Sequence, residues 1–124
     1  MVDVSRNYRI GIGTLHVPAA YKLAVGVNII CEELVVKLKS DWPDYVFKKD
    51  YKLMSLRELS EFIKLNNHLP GLPSANSIET TKEINVGEMQ QILLQKIEEL
   101  TLYILEQDRK IEKMLKQTKG IQQR

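Results

Sequence analysis

From Val86 the chain can run as one unbroken helix to about Lys119, where Gly120 supplies a stop. At about 1.5 Å per residue such a helix is roughly 50 Å long. That is too long for a helix packed on the core that a chain of 124 residues can build, so it needs a partner. Its apolar residues recur with a period of about 3.5 residues. With Ile97 at position a, Ile104, Ile111 and Thr118 also stand at a, while Leu93, Leu100, Gln107, Met114 and Ile121 stand at d. Alternating steps of three and four residues keep this seam on a partner only if the helices supercoil left-handedly. Gln107 is a polar interruption of the kind that fixes register at some cost in stability. An amphipathic helix folding back on its own chain would account for Leu94, Leu102, Tyr103 and Leu105. Both roles are expected: the first half packs on the preceding segment, and Leu93, Ile97, Leu100, Ile104, Gln107, Ile111 and Met114 form a seam between chains in a parallel coiled coil.

The start of this helix carries a capping signal. Asn85 and Glu88 have the spacing of a capping box, and Ile84 and Met89 that of a hydrophobic staple. The same pair of signals occurs earlier, with Ser55 and Glu58 as the box and Met54 and Leu59 as the staple. A short helix is therefore expected there, with Leu59, Phe62 and Ile63 on its apolar face and Asn66-Asn67 at its end. The stretch from His68 to Ser74 contains Pro70 and Pro73 and is expected to be an extended, turn-rich loop. Upstream, Tyr8 to about Lys39 reads as β. The expected strands lie around Tyr8–Gly13, Tyr21–Val25, Val27–Cys31 and Leu34–Leu38, the last with Leu34, Val36 and Leu38 on one face. Isolated strands this short are marginal in water, so they should pack against something, most simply their own symmetry copies. The fold class expected is α+β in three segments. Residues 1–39 form a β segment that packs on its own symmetry copies, 40–85 a small helical connector, and 86–124 the coiled-coil helix. Isoleucine at a with leucine at d leans toward two strands in isolated coiled coils; the heptads alone do not decide the number, and the resemblance given below implies three.

Composition excludes several functions. Lys plus Arg number 18 and Asp plus Glu 16, a net charge of +2, and the signs alternate along the chain. Nucleic-acid binders concentrate base on one face with aromatic residues between, so nucleic acid is not an expected partner. The basic lean of the last twenty or so residues suits cations near a helix C-terminus. Cys31 is the only cysteine, which leaves no intrachain disulfide; its apolar neighbours suggest a buried small hydrophobe. No apolar run reaches the length of a membrane span. The N-terminus has no basic-then-apolar signal segment, so display outside a cell would require delivery as part of something larger.

Two stretches resemble a known family. Ile10-Gly11-Ile12-Gly13-Thr14 followed by Pro18-Ala19-Ala20-Tyr21-Lys22-Leu23-Ala24-Val25 resembles the "GIGT–P–KL–V–G" repeat of tail-fibre-like and surface proteins, with the glycine after "KL–V" displaced to Gly26. Residues Trp42-Pro43-Asp44-Tyr45-Val46-Phe47, Tyr51-Lys52-Leu53, His68-Leu69-Pro70, Gly87-Glu88-Met89 and 93–103 resemble the C-terminal domain that follows such repeats in Bacteroidota and their phages. The resemblance implies a homotrimeric fibre end, with three intertwined β regions closed by a parallel three-helix bundle. It also implies an extracellular appendage or a virion or injection-particle surface, with a baseplate or fibre protein and a cell-surface receptor as further partners.

Catalytic chemistry has little to stand on. A more distant likeness is to the endosialidase-type intramolecular chaperone, which trimerises a fibre and then cuts itself off at a serine in an "SD–LK" motif. Ser40-Asp41 stand in about the right place, but Asp44 and Tyr45 occupy the positions of the Leu-Lys pair. A serine without a neighbouring base is a poor nucleophile, so Ser40 or Asp41 is read as capping a turn. His16 and His68 have no second ligand at metal spacing, and His68 is expected to make a structural hydrogen bond in its loop. No cofactor is implied, and Gly11-Ile12-Gly13 lacks the third glycine of a phosphate loop. Trp42 and Tyr45 could meet a glycan through an apolar ring face, although flanking Pro43 and Val46-Phe47 suggest core. The expectation is a non-enzymatic trimerisation and folding module at a fibre end. A receptor-binding fibre tip and a self-cleaving chaperone are the alternatives.

Overall fold

A computed structural model describes residues 2–4, 8–37 and 42–122. The chain forms two compact units, Met1–Val35 and Val36–Arg124. The connector and the long helix thus belong to one body. Leu38, Lys39, Ser40 and Asp41 lie outside the described residues, and the reading of Ser40-Asp41 as a turn cap or cleavage site lies there with them.

The first unit is a three-stranded sheet of β1 (Val2–Val4), β2 (Ile10–Ile12) and β3 (Leu23–Val25). β1 runs antiparallel to β2, and β3 runs parallel to it with Ile10 opposite Leu23 and Ile12 opposite Val25. The glycines of the repeat have a steric reason here. Gly13 turns the chain at φ +67°, a region that penalises any Cβ. A Cβ on Gly11 would collide with the Thr14 carbonyl oxygen, and one on Gly26 would come within 2.5 Å of the Gly13 carbonyl oxygen. The displaced Gly26 therefore closes the parallel pair against the Gly13 turn, where its N–H donates to Ile12 at 2.9 Å. The loop between β2 and β3 is tied down by Arg9 Nη1, which donates to the Val17 carbonyl at 3.0 Å.

Two expectations for this region fail. Residues 27–37 form no strand, and Ile29, Ile30, Leu34 and Val35 are exposed, Ile30 at 99 %. A strand exists only as one member of a ladder, and this segment pairs with nothing among the described residues. Cys31 lies in the same stretch and is exposed rather than buried. Apolar neighbours in sequence bury a side chain only when the segment itself is covered.

The second unit begins with a short 3-10 helix at Asp44–Phe47, follows with α1 (Leu56–Asn66) and α2 (Ala75–Thr81), and ends in α3 (Val86–Gln122). α1 starts as its sequence requires. The Glu58 amide donates to Ser55 Oγ, and the Ser55 amide donates back to the Glu58 carboxylate. It ends at Asn67, which adopts the left-handed conformation at φ 57° that asparagine tolerates better than most residues. α2 was not anticipated, but Ser74 caps it by accepting from the Ser77 amide at 3.1 Å. At α3 the Asn85–Glu88 pair closes side chain to side chain, Nδ2 donating to Oε2 at 3.0 Å. α3 spans 37 residues, about 55 Å, and no described helix is long and apolar enough to cross a membrane.

Candidate functional site: the two faces of the long helix

The first half of α3 carries the connector on one side. The 3-10 helix packs against it and buries Val46 to 1 % exposure, with Pro43 buried beside it in sequence. Three tyrosines then fasten the connector through hydroxyl bonds. Tyr45 donates to Gln95 Oε1 at 2.9 Å, Tyr51 to Glu99 Oε1, and Tyr103 to the Met54 carbonyl at 2.6 Å. Gln95 Nε2 donates in turn to the Tyr51 hydroxyl at 3.2 Å and to Glu99 at 3.0 Å. Lys96 completes the cluster with an ion pair to Glu99 Oε2 at 2.8 Å. The rings of Tyr45 and Tyr51 also meet, 5.9 Å apart. A long polar residue can sit under a connector only if its donors and acceptors are matched, and this network matches Gln95, Lys96 and Glu99 together.

The electrostatics follow from that packing. Burial, and then the hydrogen bond to Glu99, push the Tyr51 phenol up to about 12. Burial also raises Tyr103, with neighbouring Glu99 and Glu106 adding to it. Burial alone would raise the Glu99 carboxyl, but the bonds from Lys96, Tyr51 and Gln95 outweigh it and hold it below the usual range.

The expected seam lies on other faces of the same helix. In heptad terms the connector covers Glu98 at b, Glu99 at c, Leu102 and Gln95 at f, and Lys96 and Tyr103 at g, all buried or half-buried. The a and d residues Leu93, Ile97, Leu100, Ile104, Ile111 and Met114 are exposed, Ile104 to 67 %. Gln107 is exposed with them. Leu94 and Leu102 are half-buried, whereas Leu105 is exposed. The helix is thus divided by face: connector on b, c, f and g, exposed apolar stripe on a and d, where the seam is expected.

Trp42 and Tyr45 sit at the start of the second unit. Trp42 remains 50 % exposed and Phe47 is also exposed, so the core here is Pro43 and Val46, and the rings stand partly outside it. His68 makes the loop bond expected of it, Nδ1–H donating to the Leu69 carbonyl at 3.0 Å, and its ring meets Phe62 edge-on at 5.6 Å. A cavity of about 470 Å³ lies between α2 and the first turns of α3, floored by Leu72, Ile78, Ile84, Met89 and Ile92. Among the described residues no group of three or more His, Cys, Asp or Glu converges as metal ligands would.

Sequence patterning missed the tyrosine–glutamine–glutamate network. Its signal was present as polar residues at i, i+3 and i+4 on the non-seam side of α3, a spacing that also describes an ordinary solvated helix face. Comparison of the chain with known protein families, with curated proteins and with solved structures gives no match.

Proposed function

We propose that this chain is a non-enzymatic, self-associating structural module whose α3 seam joins identical copies into a parallel homotrimer. The observation that carries this reading is the bare stripe of Leu93, Ile97, Leu100, Ile104, Ile111 and Met114 on a helix whose other side is already occupied by its own connector. A fold-back helix would have spent its apolar stripe on its own chain. Covering a half-exposed Leu, Ile or Met contributes about 1–2 kcal/mol, so a shared seam offers each chain a gain on the order of 5–10 kcal/mol against the entropy of association.

Val27, Ile29, Ile30, Leu34 and Val35 of the first unit are exposed and have nothing to pair with among the described residues, and the likeness to tail-fibre-like proteins supports three chains over two. Tethering several copies through α3 raises the local concentration of their β segments for one another. On this reading the helix registers and nucleates the trimer, and the β region continues the shaft. The likeness of the glycine repeat and of the connector to tail-fibre-like proteins supports placing the module at the C-terminal end of such a fibre, on a virion, an injection particle or a cell-surface appendage. Sedimentation or light scattering of the full chain tests the reading directly. The expected mass is that of three chains, a dimer would revise the number, and a well-folded monomer at micromolar concentration would overturn it.

A second reading is favoured by the exposure of Trp42 and Phe47 beside Tyr45. Aromatic rings standing out of a small core suit contact with the apolar face of a sugar or with a protein receptor, so the module also serves as a receptor-binding fibre tip on this view. A glycan array probed with wild type and with Trp42→Ala separates it from a purely structural role. Binding lost in the variant supports the tip, and no binding by wild type removes the glycan form of it.

A further inference from the structure

The first turns of α3 carry apolar surface beyond the a and d stripe. The cavity of about 470 Å³ beside α2 is walled by Leu72, Ile78, Ile84, Met89 and Ile92. Ile84 and Met89 are the staple pair expected from the sequence, yet Ile84 remains 52 % exposed, so the pair does not close the cavity. Met89 stands at g. Val86 and Leu93, one turn before and one turn after it on the same side of the helix, stand at d and are exposed. Apolar surface therefore continues from the cavity wall onto the seam. The charged residues that line the cavity are Glu83 and Glu88, and the Asn85 side chain donates to Glu88 at 3.0 Å, which leaves the wall itself apolar.

The e positions point to what covers this edge. Coiled coils commonly place Glu and Lys at e and g, where they pair across chains. Here e holds Gly87, Leu94, Thr101, Asp108, Leu115 and Gln122, and of these only Asp108 is charged. In parallel helices, g of one chain stands beside e of the next heptad on its neighbour. That rule brings Met89 of one protomer to the partner's Leu94. An antiparallel pair sets g beside g instead, and the cavity would stay open.

We propose that the cavity between α2 and α3 is completed by a second copy of the chain, whose Leu94 seats against Met89 at the cavity edge. This shared pocket rests on the parallel seam proposed for α3 and gives the connector a part in it. α2 and the start of α3 then bear on two chains at once. Assembly tightens α2 onto α3, and the seated leucine favours the parallel arrangement over the antiparallel one.

Cross-linking and hydrogen exchange on the full chain test it, with light scattering run on every variant. In a Cys31→Ser background, Met89→Cys combined with Leu94→Cys should link chains on mild oxidation, up to the number in the assembly. Five residues apart on one helix, the two positions are too distant to bridge within a chain. The Ile78 and Lys82 amides, which donate to the Ser74 and Ile78 carbonyls at 3.2 and 2.7 Å, report on α2. In the assembled chain Leu94→Ala should speed their exchange about tenfold. Leu115→Ala, also at e but several turns beyond the cavity, should leave it unchanged. In Ile104→Lys, which frees single chains, α2 should already exchange at the faster rate, and adding Leu94→Ala should change nothing more. The cross-link keeps the test open if Leu94→Ala folds poorly. An assembly that gives no cross-link, or whose α2 exchange ignores Leu94→Ala, overturns the shared pocket and leaves the seam standing. An effect of Leu94→Ala that persists in Ile104→Lys also overturns it, because Leu94 then acts within its own chain. A wild type that scatters as one folded chain removes pocket and seam together.

Discussion

At Tyr103 a single oxygen joins helix to connector. Its hydroxyl donates to the Met54 carbonyl from a side chain only 8 % exposed, so removing it leaves that part-buried carbonyl without its donor. Tyr103→Phe should cost about 1 kcal/mol in denaturant unfolding, and a change near zero would mean that water reaches Met54 freely. Tyr51 allows a check by titration. Its phenol is raised to about 12, so the folded state favours the protonated form. The stability this contributes is complete below the ordinary tyrosine value and is lost as pH rises through about 12. In a phenolate absorbance titration Tyr51 should therefore ionise late, and Glu99→Gln should bring it earlier because the carboxylate that accepts its proton is gone. A Tyr51 that ionises in the ordinary tyrosine range would contradict the network.

At the scale of elements, the caps decide where helices begin. Ser55 and Glu58 exchange bonds across the first turn of α1, including a short one from Ser55 Oγ to Glu58 Oε2 at 2.6 Å. Ser55→Ala should destabilise α1 by about 1 kcal/mol, read as faster amide exchange at its N-terminal turn. The same bonds hold the Glu58 carboxyl below its usual range. Its contribution is therefore present above the ordinary carboxylate value and lost as pH falls through the lowered one. In Ser55→Ala that acid dependence should shrink; an unchanged dependence would mean that the box does not act as drawn. α1 was legible because its start signal and its stop at Asn67 are both local chemistry. α2 has only a seven-residue span and a serine cap, too little periodicity to separate it from the proline-rich loop before it. The strands expected at 27–31 and 34–38 were misjudged for the opposite reason. Their alternation is real, but pairing is a property of two segments, and the second one is not in this chain's described residues.

For the whole molecule the seam carries the argument. Ile104 sits at the middle of the a positions and is 67 % exposed in the single chain. In the proposed homotrimer, Ile104→Lys would place three ammonium groups in one layer of the seam, each desolvated and facing its like. The assembly mass should fall to that of one chain by light scattering, while the connector-side contacts at Tyr51, Gln95 and Glu99 persist. An unchanged mass would count directly against a seam at Leu93–Met114.

The sequence by itself determined the long helix, the α1 cap and the presence of an apolar stripe at a and d. These rest on backbone stereochemistry and on residue spacing, which act over a turn or two of chain. The tertiary structure decided which side of α3 the connector would take. It also decided that Cys31 stands exposed and that Glu98 lies buried. Those outcomes depend on which surfaces far apart in the chain come together. A helical period records that one face is apolar and another polar, but not which neighbour will cover the polar one.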